Sequence, residues 1–342
     1  MPRPTIQDVA KAAGVSKATV SRVLSGNYEY MRSDTREKVE LAVSRLGFRP
    51  SSTAQSLTSK RTHTVAILIS DIGNPFYPDV IHGVEDIAFK NQYGIFLCNT
   101  NYDLDRGLAL IRSLIDKRVD GVMLMSSTMS NDWLDELVQN GIPAVVLDWD
   151  TKLSGKSVSI IQVEYGVGIQ EAVNHLVSLG HKNFAHVSGP LTWPTSRTRR
   201  DEFINALKFH NISSENVPVI EGNLLIDGGR QAAVTLAGLI ERPTAIFAAN
   251  DLTAMGVMTE LKAQGLRVPE DVSVVGLDDI FLASQTDPQL TTVALPRREI
   301  GELAMKMLLQ LFKTGNDADV LPAIEKVETS LVIRSSTSKA PC

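Results

Sequence analysis

The hydrophobic and polar positions divide the chain into three parts. Residues 1–48 carry apolar side chains at helical spacing and look wholly helical. Residues 49–62 form a polar link rich in serine and threonine. From Thr64 onward, short β-branched runs such as Val65–Ile69 alternate with helical segments. Runs that are apolar on both faces and alternate with helices predict parallel α/β sheets. Because roughly 280 residues exceed a usual single domain, we expect two similar lobes there.

The first part of the chain predicts a helix-turn-helix. Thr5 and Asp8 form a capping-box-like start for a first helix, and Gly14 ends it. Ser16 caps a second helix, and a third runs over about Asp34–Leu46. Two short helices joined by a glycine-containing turn make a helix-turn-helix, whose second helix can lie in the major groove of DNA.

The second helix carries the candidate base contacts. Lys17, Ala18 and Arg22 fall on its outer face, opposite Val20 and Val23. Arginine can grip guanine O6 and N7, and alanine can meet a thymine methyl group. Short hydroxyl donors suited to phosphates are Ser16, Thr19 and Ser21. The alternative is a structural three-helix bundle, but the small and basic outer face favours DNA binding.

The charge distribution supports a polyanionic partner for the first part only. Residues 1–61 carry 11 Lys+Arg and 5 Asp+Glu, a net charge of +6. The remainder carries 23 basic and 34 acidic residues, a net charge of −11, within a total of −5. A basic head on an acidic body indicates that only the head meets DNA, although a merely solvated basic surface is the alternative.

Composition argues against several other classes of protein. No apolar stretch follows the charged N-terminus and no apolar run is long enough to cross a bilayer, so we expect no signal peptide and no membrane partner. Cys98 and Cys342 are the only cysteines, which favours a reducing, cytoplasmic location over a disulfide framework or a structural zinc site. We therefore expect no metal and no cofactor.

Two segments carry a family resemblance. The stretch TIQDVAKAAGVSKATVSRVLSG, followed by TREKVELAVSRLGFRPSSTAQSL, resembles the N-terminal signature of the lactose/galactose/purine repressor family of bacterial regulators. Weaker similarity extends over nearly the whole chain. The resemblance implies base contacts from Lys17, Ala18 and Arg22.

The polar link contains a short helix candidate at Pro50–Ser59. From the residues alone it is either a flexible linker or a segment that folds on binding. The family resemblance implies a hinge helix in the minor groove, with Leu57 as the wedge that kinks the DNA and Ala54 as the small residue near the groove. Gln55 stands where the family usually has arginine. Alternatively, Leu57 is a hydrophobic anchor against the body.

The body resembles the periplasmic sugar-binding-protein fold. The expected fold class is an all-α helix-turn-helix head followed by a two-lobed α/β body in which the chain crosses between the lobes three times. The expected domains are a DNA-binding head at 1–48, a hinge at 49–62 and an effector-binding and dimerisation body at 63–342. The N-lobe is expected at about 63–161 and 296–322, and the C-lobe at about 162–295 and 323–336.

Ligands of such folds bind where loops leave the carboxyl ends of the strands. Arg199, Asn250 and Asp278 match pocket residues of the family. Phe76 is either an aromatic platform or a core residue at a helix start, and Asp251 is a candidate helix cap. The full set of candidate effector contacts is Asp71, Asn74, Phe76, Ser126, Asp148, Trp149, Trp193, Arg199, Asn250 and Asp278.

These observations predict a sequence-specific transcriptional repressor, controlled by a small ligand of the sugar class. We expect a homodimer on a palindromic operator. The tail after Val332 lacks the leucine-heptad extension that forms tetramers in some members of the family it resembles, so we do not expect a tetramer. Phe76 and Trp149 keep a purine or other aromatic effector open. An α/β enzyme is disfavoured because the sequence has no Walker-type loop, nucleophile elbow or metal-ligand cluster. A sugar-binding module without a DNA role is disfavoured by the basic head.

Overall fold

A computed structural model describes most of the chain, and it divides into two compact units between Thr62 and His63. The described residues are 4–26, 28, 31–49, 61–149, 157–314 and 323–341. The hinge candidate at Pro50–Ser59 lies outside them. None of the described helices is both long and apolar enough to span a bilayer.

The described residues of the first unit form the three predicted helices, α1 (Ile6–Ala13), α2 (Lys17–Leu24) and α3 (Ser33–Leu46). The Thr5 hydroxyl accepts a hydrogen bond from the Asp8 amide, and the Asp8 carboxylate accepts one from the Thr5 amide, which completes the capping box. Gly14 ends α1 at a φ of 67°, a left-handed conformation that favours glycine. These local signals explain why this part could be read from the sequence.

The N-lobe of the second unit is built on a six-stranded sheet in which every strand pair is parallel. The strand order is β11-β5-β4-β3-β1-β2. Its strands are β1 (Thr64–Ile69), β2 (Gly94–Asn99), β3 (Gly121–Met125), β4 (Ala144–Leu147), β5 (Val158–Glu164) and β11 (Ile324–Glu328). The helices of this lobe are α4 (Phe76–Lys90), α5 (Leu104–Asp116), α6 (Asn131–Gln139) and α11 (Arg297–Thr314).

The C-lobe is built on a second six-stranded sheet with the order β12-β10-β9-β8-β6-β7, in which only the β10–β12 pair is antiparallel. Its strands are β6 (Phe184–Ser188), β7 (Val219–Glu221), β8 (Ala245–Ala248), β9 (Ser273–Asp278), β10 (Thr291–Ala294) and β12 (Ser330–Val332). Its helices are α7 (Tyr165–Ser178), α8 (Pro194–Phe209), α9 (Ile226–Ala237) and α10 (Asp251–Ala263).

The chain crosses between the two sheets after β5, after β10 and at Thr329, between β11 and β12. The expected boundary at residue 323 is therefore wrong, because β11 pairs with β5 and belongs to the N-lobe. The expected boundary at residue 161 is also too early, since β5 continues to Glu164. β11 is a largely exposed edge strand with three charged residues, so it lacks the apolar run that is typical of a buried strand.

Two helices of the N-lobe cross with their backbones in close contact. A Cβ atom added at Gly301 of α11 would overlap the carbonyl oxygen of Val80 in α4, and one at Gly83 of α4 would overlap the carbonyl oxygen of Arg298 in α11. The inner face of α11 belongs to the core, since Ile300, Ala304, Met307, Leu308 and Leu311 are buried. The contact leaves no room for α4 and α11 to move independently.

Candidate DNA-recognition surface and ligand-binding cleft

The outer face of α2 is exposed as the helical spacing predicts. Lys17, Ala18 and Arg22 are exposed, whereas Val20 and Val23 are buried against the other two helices. Ser21 is also exposed. The Ser16 hydroxyl accepts a hydrogen bond from the Thr19 amide at 3.1 Å, so both residues also hold the start of α2. The hinge candidates Ala54, Gln55 and Leu57 lie outside the described residues.

The body contains a cleft that collects loops from both lobes at the carboxyl ends of their strands. Its empty space is about 670 Å³, part of it open to solvent. Eight candidate residues line it: Asn74, Phe76, Ser126, Asp148, Trp149, Arg199, Asn250 and Asp278. The first and last of these residues in the sequence, Asn74 and Asp278, are separated by more than half the length of the chain, and the topology brings them together.

Arg199 is the central charged group of the cleft. It projects from α8, and only 12% of its side chain is exposed. One of its terminal nitrogens donates to the carbonyl oxygen of Ala249 at 2.8 Å, and the other donates to the Tyr165 hydroxyl at 3.0 Å. Burial alone would lower the pKa of Arg199, but Tyr165, Asp278 and Asp148 more than offset burial, and the pKa is raised. The guanidinium therefore stays charged in a buried site.

Two carboxyl groups, Asp148 from the N-lobe and Asp278 from the C-lobe, face the same cleft. Asp278 lies 3.7 Å from the nearest guanidinium nitrogen of Arg199. Burial raises the pKa of Asp278 to about 6, against the opposing effect of Arg199. Burial also raises the pKa of Asp148. Both residues adopt positive φ angles, of 115° for Asp278 and 56° for Asp148, which are uncommon for non-glycine residues.

Each of these three charged groups leaves one atom without a hydrogen bond in the described part of the chain. The atoms are Nε of Arg199, Oδ2 of Asp148 and Oδ1 of Asp278, and all three are buried. A buried polar atom without a partner is costly, so these atoms are suited to a bound molecule. Together they present one donor and two acceptors, which hydroxyl groups can satisfy because each both donates and accepts.

Aromatic rings form the apolar part of the cleft. Phe76 and Tyr77 meet edge to face at 5.3 Å, and the Tyr77 hydroxyl donates to the carbonyl oxygen of Met125. The Trp149 indole donates to Asn131 at 3.3 Å, which fixes its ring beside the cleft. Flat apolar faces beside polar groups suit a ligand with one apolar face and several polar substituents.

Several candidate residues have structural roles. The Asn250 side chain caps α10 by accepting from the Thr253 amide at 2.9 Å, and it donates to the carbonyl oxygen of Leu224. The cap is therefore Asn250 and not Asp251, although Asn250 still borders the cleft. The Asn74 side chain accepts from the Phe76 amide. The Ser126 hydroxyl is buried within hydrogen-bond distance of the Ser70 hydroxyl.

Two candidate residues do not line the cleft. The Asp71 carboxylate accepts from the Gly73 amide at 2.9 Å and stabilises its own turn. Trp193 stacks on Tyr102, with ring centroids 5.2 Å apart and planes 6° apart. Because Tyr102 belongs to the N-lobe and Trp193 to the C-lobe, this stack joins the two lobes. Asp71 and Trp193 therefore lie outside the lining of the cleft, and their contact with an effector stays a prediction.

The sequence interpretation missed three tyrosines that line the cleft: Tyr77, Tyr102 and Tyr165. Tyr165 directly follows the end of β5 and Tyr102 lies just beyond β2. Both positions satisfy the strand-end rule used for the other loops, so applying that rule to every strand would have found them. No group of three or more His, Cys, Asp or Glu residues in the described ranges is placed to hold a metal ion.

Comparisons with known proteins agree with this architecture. Residues 5–51 match the family described as bacterial regulatory proteins, lacI family, and residues 173–337 match the periplasmic binding protein-like domain. The chain is 35% identical to catabolite control protein A of Priestia megaterium over 326 residues, which cover 95% of this chain and 97% of that protein. It is 36% identical to the HTH-type transcriptional repressor PurR of Vibrio vulnificus (strain CMCP6) over 336 residues, 98% of this chain and 99% of that protein.

The structure is also similar to that of the lac repressor dimer bound to operator and the anti-inducer ONPF. The TM-score is 0.86 at 28% identity, covering 98% of this chain and 100% of the other. The chain belongs to the lacI family of bacterial regulatory proteins, a family of transcriptional regulators. The family and the fold class predicted from the sequence are both confirmed.

Proposed function

We propose that this protein is a transcriptional repressor that binds a palindromic operator as a homodimer and is controlled by a small neutral sugar. In this role it is a regulator and not an enzyme, and it acts in the cytoplasm, where the operator lies. The observation that carries the proposal is the pairing, in one chain, of an exposed basic recognition helix with a cleft of unpartnered buried polar atoms.

The operator half of the proposal rests on α2. Lys17, Ala18 and Arg22 read base edges in the major groove, and Ser16, Thr19 and Ser21 contact phosphates. Their exposure on one face, above buried Val20 and Val23, supports these roles. Ala54, Gln55 and Leu57 of the hinge enter the minor groove at the operator centre, as the family resemblance implies.

The homodimer is supported by large apolar side chains exposed on the body. In the N-lobe the edge strand β2 exposes Phe96 and Leu97, and in the C-lobe the short 3₁₀ helix Phe281–Ser284 exposes Phe281 to 71%. Exposed apolar side chains of this size commonly mark contact surfaces. The lac repressor, to which the chain is similar, forms a dimer on its operator. Twofold symmetry of the protein then requires a palindromic site.

The ligand half rests on Arg199, Asp148 and Asp278. The cleft holds two carboxyl groups and one guanidinium, so its net charge is negative when both carboxyl groups are ionised. A negative charge repels an anionic ligand such as a sugar acid. The three buried atoms that form no hydrogen bond match adjacent hydroxyls, and the aromatic rings match the apolar face of a sugar ring. A purine is the second candidate, favoured by Phe76 and Trp149, whose rings suit stacking.

Control by the ligand follows from the position of the cleft between two lobes. A molecule that bonds Asp148 in the N-lobe and Arg199 in the C-lobe favours one relative position of the lobes over another. In a dimer this sets the spacing of the two heads, and therefore their fit to the operator. Couplings of this kind are typically about 1–3 kcal/mol.

One experiment tests both halves. Operator sequences are selected from random duplexes, and a panel of neutral aldoses, their uronic acids, hypoxanthine and guanine is then screened for compounds that raise the Tm and change operator affinity. We expect a palindromic consensus and a response to a neutral aldose that is lost in Arg199→Met, while Arg197→Met keeps it. No preference for any duplex would refute the regulator, and a response to uronic acids or purines alone would refute the neutral sugar.

A further inference from the structure

A strained turn presents Asp278 to the cleft. Asp278 and Asp279 follow each other at φ angles of 115° and 52°, both in the left-handed region. Non-glycine residues persist in this region only where their surroundings hold them. The contacts that hold this turn therefore decide where the Asp278 carboxyl group stands.

Three of these contacts come from the C-lobe itself. Arg334 donates to the Asp279 carboxylate at 2.6 Å. The Thr292 hydroxyl accepts from the Asp279 amide at 3.4 Å, and the Asp251 carboxylate accepts from the Ile280 amide at 2.8 Å. These anchors fix the far side of the turn to the sheet of the same lobe.

The fourth contact comes from Arg297, at the start of α11. One terminal nitrogen of its guanidinium donates to the carbonyl oxygens of both Asp278 and Asp279. Its other two nitrogens donate to one oxygen of Asp79, in the first turn of α4, at 3.0 and 2.8 Å. Only 12% of the Arg297 side chain is exposed. Among these four contacts of the described residues, only the Arg297 contact joins the turn of the C-lobe to a helix of the N-lobe.

The N-lobe end of this bridge is rigid. Gly83 and Gly301 bring the backbones of α4 and α11 into contact, so the two helices move as one body. Arg297 stands where the chain passes from β10 of the C-lobe into α11. A displacement of the Asp278–Asp279 turn therefore also displaces α4 and α11, because the Arg297 guanidinium bonds both the turn and α4.

We propose that Arg297 is a positioning residue that couples the lobes, by holding the Asp278–Asp279 turn and the first turn of α4 in a fixed relation. A planar guanidinium with five donors can bridge two carbonyls and a carboxylate, whereas an ammonium group cannot reach all three in this way. The regulatory consequence rests on the proposed function. A ligand drawn to Asp278 changes the position of α4 only while the bridge is intact.

The neighbouring residue provides a matched control. Arg298 also forms an ion pair with an aspartate of α4, Asp86, but this pair is exposed and lies within the N-lobe. Both pairs join α11 to α4, but of the two arginines it is Arg297 that also bonds the Asp278–Asp279 turn. Asp79→Ala and Asp86→Ala therefore remove equivalent charges from the same helix.

Amide hydrogen exchange on the full-length protein tests the bridge. Asp79 is bonded to Arg297, and the described hydrogen bonds and ion pairs include none between Asp79 and the turn. Asp79→Ala is nevertheless expected to speed exchange of the Asp279 and Ile280 amides about two- to tenfold, because Arg297 loses its second support. Asp86→Ala is expected to leave both amides unchanged. Arg297→Lys is expected to speed exchange in the turn and in the first turn of α4.

Equal exchange in the turn for Asp79→Ala and Asp86→Ala would overturn the proposal, as would wild-type exchange in Arg297→Lys. If Asp79→Ala fails to fold, Asp79→Asn gives the same comparison with Asp86→Asn. The measurement needs neither DNA nor a ligand, so its failure would leave the proposed function standing.

Discussion

Arg22 is the residue on which sequence-specific reading of DNA depends most in our proposal. Its side chain is exposed on the outer face of α2, and arginine bonds guanine through two parallel hydrogen bonds. We expect Arg22→Ala to weaken the selected operator by about 1–3 kcal/mol and random DNA much less. Titration of both duplexes at one salt concentration measures the difference. An equal loss on both duplexes would make Arg22 a phosphate contact.

Asp278 is one of the residues that make the stability of the body depend on pH. Its raised pKa, about 6, lies above the value of about 4 for an exposed carboxyl. Between these values the native state holds more protons than the unfolded state, so ionisation lowers stability as pH rises through this window. Below about pH 4 the carboxyl is neutral in both states and the penalty is absent.

Asp278→Asn removes this penalty. At pH 7 we expect the variant to have a higher Tm than the parent protein, with a gain in free energy of unfolding of no more than about 3 kcal/mol. We expect this gain to vanish toward pH 4. Thermal unfolding followed from pH 4 to pH 8 measures it. A Tm difference that does not change with pH would contradict this account of Asp278.

At the scale of elements, the contact between α4 and α11 determines the stability of the N-lobe. A Cβ atom at Gly301 would overlap the carbonyl oxygen of Val80, so the helices must separate to admit it. We expect Gly301→Ala to destabilise the protein by about 1–3 kcal/mol, despite the higher helix propensity of alanine. The midpoint of urea unfolding measures this effect.

Gly238, at the end of α9, provides the comparison for Gly301. A Cβ atom there would meet only ordinary contacts, with the nearest carbonyl oxygens 3.6 Å away, and its φ of −81° is open to any residue. Gly238→Ala is expected to leave the midpoint nearly unchanged. Similar losses for both variants would mean that backbone contact between α4 and α11 is not the cause.

At the scale of the whole molecule, the two compact units are expected to separate two activities. Deleting residues 1–60 removes α1, α2 and α3 and leaves both sheets of the body intact. We expect the truncated protein to remain a dimer, to keep the Tm increase given by the active aldose, and to lose operator binding. Gel filtration, thermal shift and operator titration check the three parts. Retained operator binding would refute the assignment of DNA reading to the head.

The elements that the sequence predicted well are those whose determinants lie close together in the chain. Thr5, Asp8 and Gly14 set the ends of α1 through bonds to residues a few positions away. Buried strands such as β1 were recognisable because both of their faces are apolar. The exposed edge strand β11 was missed, since it becomes a strand only by pairing with β5.

The amino-acid sequence by itself indicated the two kinds of domain, because these depend on local periodicity, and it indicated the family through the resemblance of its N-terminal signature. It also indicated most of the polar residues of the cleft, some from their places at strand ends and Arg199, Asn250 and Asp278 from the family resemblance. Tertiary structure alone decided that Trp193 stacks on Tyr102, that Asn250 is a cap, and that Arg297 meets Asp79. The partners in the Arg297 pair are 218 positions apart. Contacts between such distant residues follow from how strands and helices assemble, and no local pattern of polar and apolar residues encodes them.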